Sequence, residues 1–271
     1  MKKYINNVLF RLFLFLLNFS VYAQSYRALY EVNFKKDTLN RDSATSIIMA
    51  LDINKARSVF FNFNEYKKDS VYKATTNNDL ESSRFMNFEI HKISKAGVQL
   101  FRQKKGFDLL AYEDKVVFSW RLINEKKKVL GFISHKAETK FRGRKWIAWY
   151  TEDIPVSDGP YKFYGLPGFI TEIYDDKNDY HFSIKGIQKS FEPRWEIPSR
   201  IYYKNLIRLS RQKFLEEEAL DRADPARFFK AMVFSREIRL ADKDPKEIIK
   251  GIEEKAKEDF KYYNNPIELT Q

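Results

Sequence analysis

From Ser25 to about Lys189 apolar and polar residues alternate with a period of two, and this pattern confines the chain to half-buried strands. Ala28, Tyr30, Val32 and Phe34 alternate with Arg27, Leu29, Glu31 and Asn33. Ile47, Met49, Leu51 and Ile53 repeat the pattern, as do Val59, Phe61 and Phe63. Further runs cover 88–93, 98–102, 107–112, 116–122, 129–141, 145–151, 169–174 and 181–187. Polar turns separate them at Lys95-Ala96-Gly97, Lys104-Lys105-Gly106, Glu113-Asp114-Lys115 and 175–179. Strands at this spacing predict an antiparallel meander. About ten strands in one sheet curl strongly. The expected fold is therefore mainly β: a curved antiparallel meander, half-barrel or barrel-like, with a C-terminal helical extension (α+β). Aromatic residues make up 16% of the chain, enough to furnish a large concave face.

After Gln188 the pattern changes. Residues 191–200 read as a proline-broken connector, and Tyr202 to Asp221 as a helix. Asp224-Pro225 reads as an N-cap with proline at the first helical position, opening a shorter helix with Phe228, Phe229 and Met232. Asp244-Pro245-Lys246-Glu247 repeats the signal with a capping-box glutamate. Ile248, Ile249, Ile252, Ala256, Phe260 and Tyr263 then form one apolar stripe, which Asn264-Asn265-Pro266 ends. These helices are expected to cover one face or edge of the sheet. The expected organisation is a signal peptide over 1–23, an antiparallel β domain over 24–190, and a helical extension over 191–271 packing on that sheet.

The N-terminus carries the marks of export. Basic Lys2, Lys3 and Arg11 precede an apolar run from Leu12 to Phe19, and Val21-Tyr22-Ala23 supplies a cleavage site before Gln24. The apolar run is well short of the roughly 20 residues that span a bilayer, so cleavage and a soluble mature chain are expected. The chain has no cysteine, which excludes thiolate nucleophiles, iron–sulfur clusters and cysteine zinc sites. Its net charge of +12 is scattered: Lys35-Lys36, Lys67-Lys68 and Lys126-Lys127-Lys128 are placed at or near turns with acids beside them. That distribution fits protected sheet edges rather than a nucleic-acid face.

No catalytic constellation emerges. His91, His135 and His181 are too far apart for a metal motif, and Ser134 and His135 point to opposite faces of a strand. The run 175–179 lacks the glycine and closing glutamate of a calcium loop and reads as a hairpin turn. Glu152 and Asp153 diverge as neighbours in a strand, which weighs against paired carboxylates for sugar chemistry. No catalytic residue, metal site or cofactor is predicted.

Residues 141–174 carry the most information. Arg142-Gly143-Arg144 reads as a bend between strands. Trp146, Ala148 and Tyr150 fall on one face of the next strand, and Ile147 and Trp149 on the other, so this strand should be central. Gly159-Pro160 is a rigid bend, and Leu166-Pro167-Gly168-Phe169 has the residues of a type II turn. Between Ile154 and Gly168 runs a loop long enough to be functional, with Tyr161, Lys162, Phe163 and Tyr164 along it.

Gly165-Leu166-Pro167-Gly168-Phe169-Ile170 resembles the signature of the bacterial GLPGLI family, with Phe169 in place of the second leucine. The lead-in is similar: Gly143-Arg144, Trp149-Tyr150-Thr151, Ile154-Pro155, Gly159-Pro160 and Phe163, with Trp120-Arg121-Leu122 and Gly131-Phe132 upstream. The resemblance implies an exported envelope protein of unassigned molecular function, often encoded beside outer-membrane TonB-dependent receptors. Where many members have Gly-Tyr-Lys-Cys-Gln-Lys-Ala, this chain has Gly131-Phe132-Ile133-Ser134-His135-Lys136-Ala137, so a thiol mechanism common to the family is not expected.

The expected function is that of a non-catalytic protein of the Gram-negative periplasm or cell exterior, binding an apolar or amphiphilic envelope ligand. Arg142, Arg144, Trp146, Trp149, Tyr161, Lys162 and Phe163 are its candidate ligand-binding residues, with the 154–168 loop at the rim of a concavity. Gly143, Gly159, Pro160, Gly165, Leu166, Pro167 and Gly168 are candidate structural residues. The alternative is a factor that docks on an outer-membrane receptor; an exported hydrolase ranks last. No nucleic-acid partner and no stable membrane insertion are expected.

Overall fold

The structure, a computed structural model, describes residues 25–42, 44–54, 56–64, 86–93, 97–106, 108–189, 205–235 and 244–269. The signal peptide expected over 1–23 and the connector expected over 191–200 lie outside them.

The described strands are β1 (Tyr26–Lys35), β2 (Ala44–Ile53), β3 (Arg57–Asn62), β4 (Phe88–Ile93), β5 (Val98–Lys105), β6 (Asp108–Lys115), β7 (Arg121–Val129), β8 (Phe132–Phe141), β9 (Arg144–Thr151), β10 (Phe169–Asp175), β11 (Tyr180–Lys189) and β12 (Leu206–Leu209). They form one 12-stranded open sheet in the order β12-β6-β5-β4-β3-β2-β1-β11-β10-β9-β8-β7. Every described pairing is antiparallel except β12 with β6, which is parallel. Strands β1 and β11 pair in the middle of the sheet, which joins two meanders.

The period-two residues pack as the pattern requires. Ala28, Tyr30, Val32 and Phe34 are buried together with Met49, Leu51 and Ile53 on one face. That face curls around the segment between β9 and β10. Tyr30 on β1 donates its hydroxyl to the Ile170 carbonyl at the start of β10, just past that segment, at 2.6 Å. Gln99 on β5 reaches the Lys162 carbonyl at 2.8 Å, and Trp146 on β9 packs on Phe163 with centroids 4.7 Å apart. Strands distant in sheet order thus touch one loop, which is the geometry of a half-barrel.

Several local expectations change. The turn expected at 113–115 belongs to β6, the strand expected over 116–122 is an extended connector to Trp120, and the run 129–141 is split by a turn at Leu130-Gly131. Lys126, Lys127 and Lys128 lie in edge strand β7 rather than in a turn, where their charges still discourage pairing with another chain. The connector's alternation continues because it crosses the inner face: Phe118 packs on Phe141 and Phe163. Within the helix expected over 202–221, residues 206–209 instead extend the sheet edge as β12, and α1 (Arg211–Ala223) follows. Ser210 caps α1, its hydroxyl accepting from the Lys213 N–H at 3.2 Å.

Helix α2 (Arg227–Phe234) starts after Ala226, and Asp224 closes α1 instead of opening α2. Helix α3 (Pro245–Lys261) opens at Asp244 with Pro245 at its start, as the sequence indicates. Phe214 of α1 covers the inner face, packing on Phe101 and Tyr112.

Candidate functional site

The 154–168 loop does not stand at a rim; it fills the concavity. Tyr161, Lys162, Phe163 and Leu166 are all buried. Aromatic side chains line the inner face, and a loop carrying its own aromatics buries more apolar surface there than open space could. Tyr161 takes a left-handed φ of 51° in the bend that the Phe163 N–H closes onto the Pro160 carbonyl at 3.1 Å. Gly159 packs against Ile170, where an added Cβ would meet the isoleucine side chain at 2.7 Å.

The Leu166-Pro167-Gly168 bend is not a type II turn. It is a three-residue turn in which the Gly168 N–H donates to the Leu166 carbonyl at 2.8 Å. Glycine is required there because the Thr151 backbone passes against its α-carbon.

The seven candidate ligand-binding residues fall in four places. Trp146, Tyr161 and Phe163 belong to the inner core. Trp149 faces the other side of the sheet, where the Lys127 ammonium sits 4.5 Å from its ring. Arg144 is buried, and its guanidinium binds Asp175 at 2.8 Å, Asp179 at 3.1 Å, Asn265 Oδ1 at 2.6 Å and the Pro266 carbonyl at 2.7 Å. It fastens segment 264–267 to the β9 and β10 ends, and the Tyr180 hydroxyl adds a bond to the Asn265 carbonyl at 2.6 Å. Arg142 and Lys162 belong to a second network.

In that network the Lys162 ammonium, fully buried, donates to Glu268 at 2.6 Å, Asp114 at 2.8 Å and the Tyr112 hydroxyl at 3.1 Å. Tyr161 donates its hydroxyl to Glu268 at 2.7 Å, and Arg211 binds the other Glu268 oxygen at 2.7 Å. Arg142 binds Asp114 at 3.0 Å. Burial raises the Glu268 pKa, but Lys162, Tyr161 and Arg211 more than offset it and hold the carboxyl below the usual glutamate value. Burial likewise pulls Lys162 down, yet Glu268, Tyr112 and Asp114 leave it above the usual lysine value.

A cleft of about 620 Å³ opens where the loop meets the strand ends. Ile53, Ile93, Val98, Pro155 and Val156 give it apolar walls. Lys92, Asp158 and Gln99 supply its polar side. Lys92 forms a buried ion pair with Asp158 and donates to the Gly159 carbonyl at 2.6 Å. Burial lowers the Lys92 pKa against the opposing pull of Asp158. The amide of Gln99 donates to Lys162, and among the described residues its buried Oε1 accepts nothing.

Residues 64–172 match the family model described as a protein of unknown function, Porph_ging. The stretch matching Porph_ging holds the hexapeptide 165–170, the loop, and Lys92, Gln99 and Asp158 of the cleft. Tyr26, Ile53 and Asn54, also cleft residues, lie outside it, as do Arg211 and Glu268. Among the solved structures that share the fold are two crystal forms of PNGF-II. The P21 crystal form superposes with a TM-score of 0.54 at 14% identity, over 72% of this chain and 33% of that one. The C2 form gives 0.53 at 14% identity, over 72% and 32%. The chain therefore spans about a third of the length of PNGF-II. No curated protein matches the chain.

Sequence reasoning missed Lys92, Gln99, Asp114, Asp158, Arg211 and Glu268. One signal was available for three of them: Lys92 keeps the inward parity of Phe88 and Ile90, Gln99 that of Phe101, and Asp114 that of Leu110 and Tyr112. A polar side chain at an inward position must find a partner inside. Among the described residues no group of three or more histidines or acids could hold a metal ion, and no helix is long and apolar enough to cross a membrane.

Proposed function

We propose that this protein is an exported, non-catalytic binding protein that holds an amphiphilic small molecule in the cleft beside the 154–168 loop. The cleft itself carries the reading. Its volume falls within the range of roughly 300–1,000 Å³ typical of small-molecule sites. Its composition follows the same rule, apolar walls with a few directing polar groups. The site moves from the aromatic concavity, which the loop fills, to the place where that loop meets the ends of β2, β4 and β5. Export rests on the signal-like residues 1–23, and the envelope setting on the GLPGLI resemblance.

Native mass spectrometry of residues 24–271, purified from the envelope without detergent, tests the reading. A reproducible added mass, lost on denaturation and absent from a Val156→Arg variant with a blocked cleft, supports it. An added mass that Val156→Arg retains places the ligand elsewhere. A clean apo mass in both proteins removes the binding role and leaves docking on an outer-membrane receptor, which cross-linking then addresses.

A further inference from the structure

The Glu268 carboxylate is held like a ligand. Three cationic side chains from three separate elements converge on it: Lys162 from the loop, Arg211 from the start of α1, and Arg142 from the β8–β9 turn at 3.7 Å. The Tyr161 hydroxyl completes the grip. Asp114 is the acid beside it, bound to Lys162 and Arg142. Without Glu268 the cluster would carry three positive charges against one negative.

The fit is also incomplete. Two oxygens satisfy Lys162, Tyr161 and one Arg211 nitrogen, but the buried Nε–H groups of Arg142 and Arg211 have no hydrogen-bond partner among the described residues. Leaving such donors unpaired is costly. A group with three or four acceptor oxygens at the same position supplies what a carboxylate lacks, and guanidinium forks match its geometry.

The side chains of Arg142, Arg211 and Glu268 are 23%, 18% and 12% exposed, so the cluster meets solvent on one side. Asn265 and Pro266 are fastened by Arg144. The bonds to be broken in releasing Glu268 are its own, the Leu269 N–H to the Arg142 carbonyl at 2.9 Å, and Arg144 to the Ile267 carbonyl at 3.1 Å.

We propose that Arg142, Lys162, Arg211 and the Tyr161 hydroxyl form a receiving site for a tetrahedral oxyanion, a phosphate or sulfate group, which Glu268 occupies as an internal stand-in. The site is separate from the cleft and does not depend on the cleft's being a ligand site. Binding exchanges one anion for another, with segment 267–269 released.

The test titrates inorganic phosphate, sulfate and phenyl phosphate into the full mature chain at fixed ionic strength, with chloride as the reference. Thermal unfolding and amide exchange of 267–269 are followed together. The expected result is saturable stabilisation with faster exchange at Leu269, absent in Arg211→Ala and roughly tenfold tighter in Glu268→Ala, where no internal competitor remains. Phenyl phosphate binding better than inorganic phosphate points to an esterified group; the reverse points to the free ion. The proposal is overturned by no saturable effect in either protein, by an effect that survives in Arg211→Ala, or by binding to Glu268→Ala with none to the wild type. Glu268→Gln replaces the alanine variant if that one does not fold.

Discussion

The α-carbon of Gly168 lies against the backbone of Thr151 so closely that a Cβ added there would stand 2.7 Å from the Thr151 carbonyl carbon and overlap its oxygen. Backbone cannot yield as a flexible side chain can. Gly168→Ala should therefore cost about 3 kcal/mol, the upper end of overpacking penalties. Gly186 in β11 has nothing within 4 Å of an added Cβ, so Gly186→Ala should stay within about 0.5 kcal/mol of wild type. Urea midpoints of the two variants check this, and equal midpoints would refute the close-approach account.

Arg144 is a buried cation with two buried carboxylates. Removing it leaves Asp175 and Asp179 without that cation, so Arg144→Ala should lose roughly 3–5 kcal/mol. Arg144→Lys should recover little, because a single ammonium cannot reach the carboxylates and the 265–267 carbonyls together. Hydrogen exchange gives the specific sign: protection of 264–269 should collapse in both variants. Retained protection there would show that Arg144 does not fasten this segment.

The pair Lys92–Asp158 should behave as a unit. Lys92→Met strands a buried carboxylate and should cost about 3 kcal/mol or more; Asp158→Asn should cost a similar amount by stranding the ammonium. The double variant should lose clearly less than the two single losses combined, with a coupling of about 1–3 kcal/mol. Additive losses in a denaturation cycle would mean the pair contributes no mutual stabilisation.

Folding holds the Glu268 pKa below its unfolded value. Its stabilisation is therefore full above the unfolded glutamate pKa, about 4.3, and is lost as pH falls through the lower folded value. Glu268→Gln should be less stable than wild type by about 2 kcal/mol at neutral pH. That gap should shrink below about pH 4. Unfolding free energies from pH 7 to pH 3 measure it, and a gap constant over the range would contradict the shift.

Much of the sheet was legible because strand alternation is local. Phe88–Ile93 is the strand the pattern marks, and the two faces of β9 carry the residues assigned to them. The misreadings at 116–120 and 206–209 share a cause. Alternation reports which side of an extended chain is buried, not whether a neighbour is hydrogen-bonded beside it. Residues 116–120 belong to no strand, while 206–209 become one only because the exposed edge of β6 is there to pair with.

The sequence by itself determined the period-two strands, the tight turns at Arg142-Gly143 and Asp244's helix start, since these depend on backbone sterics and on residues a few positions apart. It also carried, unread, the inward parity of Lys92, Gln99 and Asp114, the last of which reads locally as a turn residue. Only the tertiary structure decided what they meet. Asp158 is 66 residues from Lys92, and Glu268 is 106 from Lys162. A buried charge requires an opposite charge or a hydrogen bond within a few ångströms, and the alternation does not encode which distant segment supplies it. The curl of the sheet does: it brings β4, β5, β6 and β9 around one loop and lets segment 264–269 close over that loop.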